Sequence, residues 1–291
     1  MSVTIRPMTA DDIEAARVVQ AAAFAGPDDP TDPSTFPPEV TARQHRRYRH
    51  LLAEDAAGCW VADGPDGVVG VALALLRDDL WGLSLLAVQP DLQARGIGRR
   101  LLDASLTYAA SADRSVILST SDPKAMACYA GAGFELHPQV AARGKVRRTP
   151  PADPRVRAGD AGDAGDLTLA DDVDRVVRGA ARYGDQRVLA EMWSMYVVDD
   201  DRGRGYAYVR DNGEVEAVAA TDDETATALL WRCLAHAVDK DVEASVEHAN
   251  ARQQWAVRVI LEAGLSLRPS GPVFWRGGSP PASYLPSGPW L

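Results

Sequence analysis

Apolar residues recur at helical spacing over residues 10–24, where Ile13, Ala16, Val19 and Ala23 share one stripe, and this predicts an amphipathic helix. A short strand is expected ahead of it, near residues 3–7. The segment GPDDPTDPSTFPP at 26–38 holds too many prolines for a helix or a central strand and reads as a loop. A second helix follows near 39–54 and carries Arg43, Arg46, Arg47 and Arg49. Runs rich in Val, Leu and Ala predict strands near 58–63, 68–77 and 80–88. Beyond a glycine turn, Ile97, Leu101, Ser105 and Ala109 mark one face of a helix over about 97–110. SVILST at 115–120 reads as a buried strand, before a helix near 123–131 and a last strand from Phe134.

The same plan restarts near residue 155. Thr4-Ile5-Arg6 with Asp11 and Asp12 is echoed by Arg155-Val156-Arg157 with Asp163, each a strand, a turn and an acidic helix start. GVALALL at 70–76 matches GYAYVR at 205–210, and AGAGF at 130–134 matches LEAGL at 261–265. A period this long with uneven offsets indicates a duplicated domain, not a solenoid. GKVRRTPPADP at 144–154 is the expected linker, so the domains are drawn as 1–146 and 155–291.

Length agrees with two domains: 291 residues exceed one ordinary domain. Charge narrows the partners. Residues 1–150 carry 16 basic against 18 acidic side chains and the remainder 15 against 23, for a net −10. That balance disfavours nucleic acid, whose binding depends on neutralising phosphates, and suits a cationic substrate. No apolar run reaches the roughly 18 residues that span a bilayer, so no membrane role is expected. The N-terminal stretch MSVTIRPMTADD has no basic start followed by an apolar run, so no secretory signal is expected, and there is no CxxC spacing. Cys59, Cys128 and Cys233 are scattered, which points to a reducing, cytoplasmic setting.

The chemistry concentrates in LLAVQPDLQARGIGRRLL at 85–102. An apolar strand stops at Pro90, and Gln93, Ala94, Arg95, Gly96, Ile97 and Gly98 lead into a helix. Glycines let main-chain N–H groups converge without Cβ obstruction, and a helix start is suited to an anionic phosphate. Arg95, Arg99 and Arg100 add positive charge. The turn is neither GxGxxG nor a Walker sequence.

Here the sequence resembles the GCN5-related N-acetyltransferase (GNAT) family, whose signature is a strand, Q/R-x-x-G-x-G/A and a helix. The resemblance spans most of residues 3–140. It implies an α/β (α+β) fold of two tandem GNAT-like domains, each a mixed, largely antiparallel twisted sheet flanked by helices. It also implies acetyl-CoA as cofactor. The diphosphate would lie on residues 93–100, and Leu86, Ala87 and Val88 would offer main-chain groups to pantetheine. SDPKAMACYAGAGF at 121–134 resembles the family's N-x-x-A-x-x-x-Y-x-x-x-G-F: Ala125, Tyr129, Gly133 and Phe134 fit, and Asp122 stands where Asn is usual. Carried over, Asp122 and Ala125 are cofactor residues and Tyr129 is the acid that protonates the leaving thiolate. Asp122 is also expected to cap its helix.

The expected reaction is acetyl transfer to a primary amine of a small molecule. The alternatives are an acetyl-CoA-binding sensor or scaffold without turnover, and an enzyme acting on a protein or peptide. A homodimer is compatible with each. Candidates for the general base are Asp78, Asp79, His45, His50 and the carboxylate of Leu291, which ends an uncharged tail, GGSPPASYLPSGPWL. Trp60, Tyr48, Trp81 and the aspartates of 28–32 are candidates for the acceptor's surroundings. The second half should be silent. Its counterpart of the turn, AATDDETATALLW, lacks both glycines, sets Asp222, Asp223 and Glu224 at the helix start, and places Ile260 at the position of Tyr129.

Overall fold

A computed structural model describes residues 3–25, 35–148 and 150–291. The aspartates of 28–32 lie outside the described residues. The chain splits into two compact units, Met1–Ile117 and Leu118–Leu291.

The first unit runs β1 (Thr4–Pro7), α1 (Ile13–Phe24), α2 (Pro38–Glu54), β2 (Cys59–Gly64), β3 (Gly67–Arg77), β4 (Leu80–Val88), α3 (Ile97–Leu106) and β5 (Arg114–Leu118), so the expected elements are all present. Its sheet has the order β1-β2-β3-β4-β5, antiparallel apart from the parallel β4–β5 pair. Before α1, Asp12 takes the Thr9 N–H at 2.8 Å and the Arg6 guanidinium at 2.8 Å, fixing how the first strand enters the helix. Ile97 and Leu101 of α3 pack with Ala62, Val69, Ala72, Val88 and Leu92. The stripe ends slightly earlier than expected, because α3 closes at Leu106 and Ala109 falls in a 3₁₀ turn. One buried ion pair left no mark in the sequence pattern. Asp55 accepts from Arg77 at 2.8 and 2.9 Å, from the Leu76 N–H at 3.0 Å and from the Tyr108 hydroxyl at 3.1 Å, tying the end of α2 to the end of β3.

The second unit contains α4 (Pro123–Ala130), β6 (Glu135–Gly144), β7 (Arg157–Ala158), α5 (Ala164–Val177), α6 (Gly184–Met192), β8 (Ser194–Asp200), β9 (Gly203–Val209), β10 (Glu214–Ala220), α7 (Asp223–Asp239), β11 (Ala244–Asn250), α8 (Gln254–Glu262), β12 (Ser266–Arg276) and β13 (Tyr284–Leu285). Its strands follow β12-β6-β11-β10-β9-β8-β7, with β13 added to β10. The sequence repeat restarts near residue 155, whereas the packing divides at 117/118. α4 and β6 close the first repeat in sequence, yet β6 pairs with β11 and β12 of the second.

The two copies share detailed packing. A Cβ on Gly70 would meet Leu101 Cδ1 at 2.9 Å and Ala87 O at 3.3 Å; one on Gly205 would meet Leu229 Cδ1 and Ala219 O, both at 2.8 Å. Glycine is required at both because the third helix of each copy lies directly on the strand. The Arg6–Asp12 pair recurs as Arg157–Asp166. We expect Gly70→Ala and Gly205→Ala each to cost about 1–3 kcal/mol, the usual range for overpacking. Gly205→Ala should cost more, since its main-chain neighbour cannot rotate away as a leucine methyl can. Denaturant midpoints of the two variants decide this, and a neutral Gly205→Ala would contradict the shared packing.

Candidate functional site

β4 is where the first unit opens. Its register with β3 slips between Leu73 and Ala74, whose partners are Leu85 and Leu83, so Ser84 is an extra, bulged residue. The parallel ladder with β5 runs from Leu80/Arg114 to Leu83/Ile117 and ends at that bulge, while β4 continues to Val88. In an antiparallel ladder both main-chain groups of a residue point the same way and successive residues alternate. The Gln89 N–H bonds Val69 O at 2.9 Å, on the β3 side. Leu86 and Val88 therefore present their N–H and C=O groups to the opposite, open edge. Ala87 points back into the sheet.

At the end of this edge, Pro90 starts a single 3₁₀ turn, Pro90–Leu92. Gln93 folds its amide onto Val88 O at 3.2 Å. Ala94 and Gly96 then take left-handed conformations, φ 59° and 80°. For Gly96 this is free of penalty, whereas a left-handed alanine costs roughly 1–2 kcal/mol. Strain of this kind is held in place by its surroundings and collects at working sites. Gly96 is the N-cap of α3 and supplies no side-chain cap. Arg100 donates the first helical bond, to Gly96 O at 3.1 Å. The amides of Ile97 and Gly98 thus precede the helical ladder, at the positive end of its dipole.

Gly98 is informative because the fold does not require it. A Cβ there would meet only Val88 Cγ2, at 3.8 Å. The arginines differ in their partners. Arg95 donates to Asp91 O at 3.0 Å, and Arg99 pairs with Asp103 at 2.8 Å, both exposed. Arg100 reaches Val3 O at 2.9 Å and ties α3 to the start of β1.

Asp122, Ala125 and Tyr129 belong to the second unit. Asp122 caps α4, accepting from the Lys124 N–H at 2.9 Å, as its position suggested. Tyr129 is 5% exposed and meets Phe274 edge-on with ring centroids 5.5 Å apart. Burial, with smaller contributions from Cys128 and Asp122, pushes its phenol well above the ordinary tyrosine range. It therefore stays protonated at neutral pH.

Other candidates have structural partners. Asp79 is held by Arg114, which lowers its pKa. Asp78 occupies the exposed turn at φ 51°. His45 lies 2.9 Å from Glu14, whose carboxyl is lowered to about 2 by Arg17 and then His45. His50 stands half-buried on α2. Tyr48 is fully buried and donates to Gln20 at 2.9 Å; Trp81 is fully buried too, and Trp60 donates to Ala57 O at 3.0 Å. Leu291 is buried in the second unit, its main-chain oxygen accepting from Arg182. The Ser84 hydroxyl, buried without a hydrogen-bond partner at the bulge, was not singled out by sequence. Among the described residues no group of His, Cys, Asp and Glu could hold a metal, and no helix is long and apolar enough to cross a membrane.

An open strand edge leading to an uncapped, glycine-started helix has the main-chain groups to receive an extended, anionic ligand. Comparison with known proteins makes the class specific: residues 14–150 match the family model described as an acetyltransferase (GNAT) domain, and this part of the chain is a GNAT acetyltransferase domain. The protein is an acyltransferase of the class that uses acetyl-CoA for N-acetylation. It is 29% identical over 162 residues to the N-alpha-acetyltransferase RimI of Mycobacterium tuberculosis, covering 55% of this chain and 94% of that protein. Its fold is similar to that of a putative acetyltransferase from Pyrococcus horikoshii, with TM-score 0.72, 17% identity and coverage of 95% and 90% of the two chains. It also resembles a tandem GNAT protein from the clavulanic acid biosynthesis pathway, with TM-score 0.61, 14% identity and coverage of 96% and 99%. The tandem architecture is shared with solved proteins.

Gly98→Ala tests whether that glycine serves the fold. We expect it to leave the unfolding midpoint unchanged or raise it, alanine being favoured in a helix by up to about 1 kcal/mol. A clear loss of stability would mean that packing alone explains Gly98.

Proposed function

We propose that residues 86–98 bind acetyl-CoA and that the enzyme acetylates a primary amine of a small molecule, with Tyr129 as the general acid. The observation that carries this is the continuous run of main-chain donors and acceptors: Leu86 and Val88 on the open β4 edge, then Ile97 and Gly98 at the start of α3. When bound, the coenzyme supplies an acetyl group activated as a thioester. Leu86 and Val88 would pair with its amide-bearing arm as a neighbouring strand would. Ile97 and Gly98 would donate to the diphosphate, and the bare Cα of Gly98 would let its oxygens approach. Arg95 and Arg99 would add screened, long-range attraction. Ala87 contributes packing instead of a main-chain contact, and Arg100 holds α3 to β1.

Tyr129 would hold a proton on its phenol oxygen and pass it to the coenzyme sulfur as that sulfur leaves the acetyl carbon, while the attacking amine nitrogen gives up its own proton to water. The raised pKa of Tyr129 keeps the phenol proton in place through the neutral and mildly alkaline range. The net charge of −10 favours encounter with a cationic amine. A second acceptor class is supported by the likeness to RimI, named as an N-alpha-acetyltransferase: the α-amine of a peptide.

Two measurements check this. By calorimetry, coenzyme A should bind the wild type and bind at least tenfold more weakly to Gly98→Ala and to Arg95→Glu/Arg99→Glu; unchanged affinity would remove the assignment. Thiol release should be measured with amines and with short peptides. Tyr129→Phe should lower turnover by about 10²–10⁴-fold, the range for general acid catalysis, with little effect on coenzyme affinity. Full turnover in that variant would exclude Tyr129 as the acid, and turnover confined to peptides would exclude the small-amine acceptor.

A further inference from the structure

The second unit reproduces the open edge in detail. β10 carries the counterpart of the β4 bulge: its register with β9 slips between Val215 and Ala217, leaving Glu216 as the extra residue, as Ser84 is in β4. Its parallel ladder with β11 covers only Glu214/Ser245 and Val215/Val246 and stops at the bulge. The Thr221 N–H bonds Arg204 O at 2.9 Å, just as the Gln89 N–H bonds Val69 O. Ala220 and Val218 therefore direct their main-chain groups to the edge that Val88 and Leu86 leave open in the first unit.

Here the edge is filled. β13 pairs antiparallel with β10, Tyr284 opposite Ala219 and Leu285 opposite Val218. The Ala220 N–H donates to Ser283 O at 3.0 Å. Both ends of the segment are pinned at the equivalent landmarks. At the helix start, the Ser283 hydroxyl donates to Asp223 at 2.7 Å, the first residue of α7. At the bulge, the Ser287 hydroxyl donates to Glu216. Tyr284, Leu285 and Ser287 are buried.

We propose that residues 283–287 are the permanent occupant of a coenzyme-type slot in the second unit. They run from the helix start to the strand bulge, the course assigned to the coenzyme on the first unit. The acidic start of α7 then has a physical use. Asp222 caps the helix through the Thr225 N–H at 2.8 Å, and Asp223 accepts the serine hydroxyl, so a neutral segment is received where a diphosphate would be repelled. The chain thus takes up one coenzyme, on the first unit. This rests on the coenzyme reading of residues 86–98.

Calorimetry on the full chain should give one coenzyme A per chain. Amide exchange should show the Val218 and Ala220 amides protected without ligand and unchanged on adding coenzyme A, while the Leu86 and Val88 amides become at least tenfold slower. Leu285→Asp, which places a charge in the buried pairing, should speed exchange at Val218 and Ala220 at least tenfold and leave coenzyme affinity unchanged. Two coenzymes per chain, or slowing at Val218 and Ala220 on adding coenzyme, would overturn the proposal, because the coenzyme would then displace the segment. Fast exchange at Val218 and Ala220 in the free wild type would overturn it whether or not coenzyme binds. No binding at all, with Val218 and Ala220 protected, would instead remove the reading of residues 86–98 and with it the slot's coenzyme character.

Discussion

The structure turns on one constraint: β4 stops pairing with β5 at Ser84, and the main-chain groups beyond it need a partner. A buried donor or acceptor without one costs roughly 1–3 kcal/mol, so such an edge must be wet, liganded or covered. The bulge creates the edge by using up one residue of register. Pro90 ends the strand, and the left-handed Ala94 and Gly96 swing the chain so that α3 begins at the end of that edge. One continuous stretch of backbone thereby sets a strand edge and an uncapped helix start in sequence.

The second unit meets the same constraint with its own chain. Glu216 marks its bulge, and Ala220, which corresponds to Val88, gives its N–H to Ser283. The second unit thus has the tail on its edge where the first has the two glycines and the basic turn. A helix start carrying Asp222 and Asp223 can serve its own amides and one hydroxyl, and has nothing to offer a diphosphate. The shared glycines Gly70 and Gly205 survive because packing of helix on strand, not ligand chemistry, demands them.

The sequence made the secondary structure legible because side-chain periodicity reports it directly. Strands and helices from β1 to β6 fall within a few residues of expectation, and the 93–98 turn identified the family. Main-chain geometry was harder to read. Ser84 looks like any strand serine, since a bulge has no side-chain signature; Ala94 gave no hint of its left-handed conformation. Nor could spacing show that Leu86 and Val88 face outward while Ala87 faces β3, as one bulge sets that parity. Long-range pairs were equally hidden: Asp55 with Arg77, Arg100 with the Val3 carbonyl, and the tail with β10. The apolar tail signalled that it must pack, but its site depends on an edge that pairing alone reveals.

The most direct test of the account is a crystal structure of the full chain with coenzyme A. Diphosphate oxygens should then lie within hydrogen-bonding distance of the Ile97 and Gly98 amides, with the pantetheine arm paired with Leu86 and Val88. A coenzyme seated elsewhere, or one held only by arginine side chains with those amides unengaged, would contradict it.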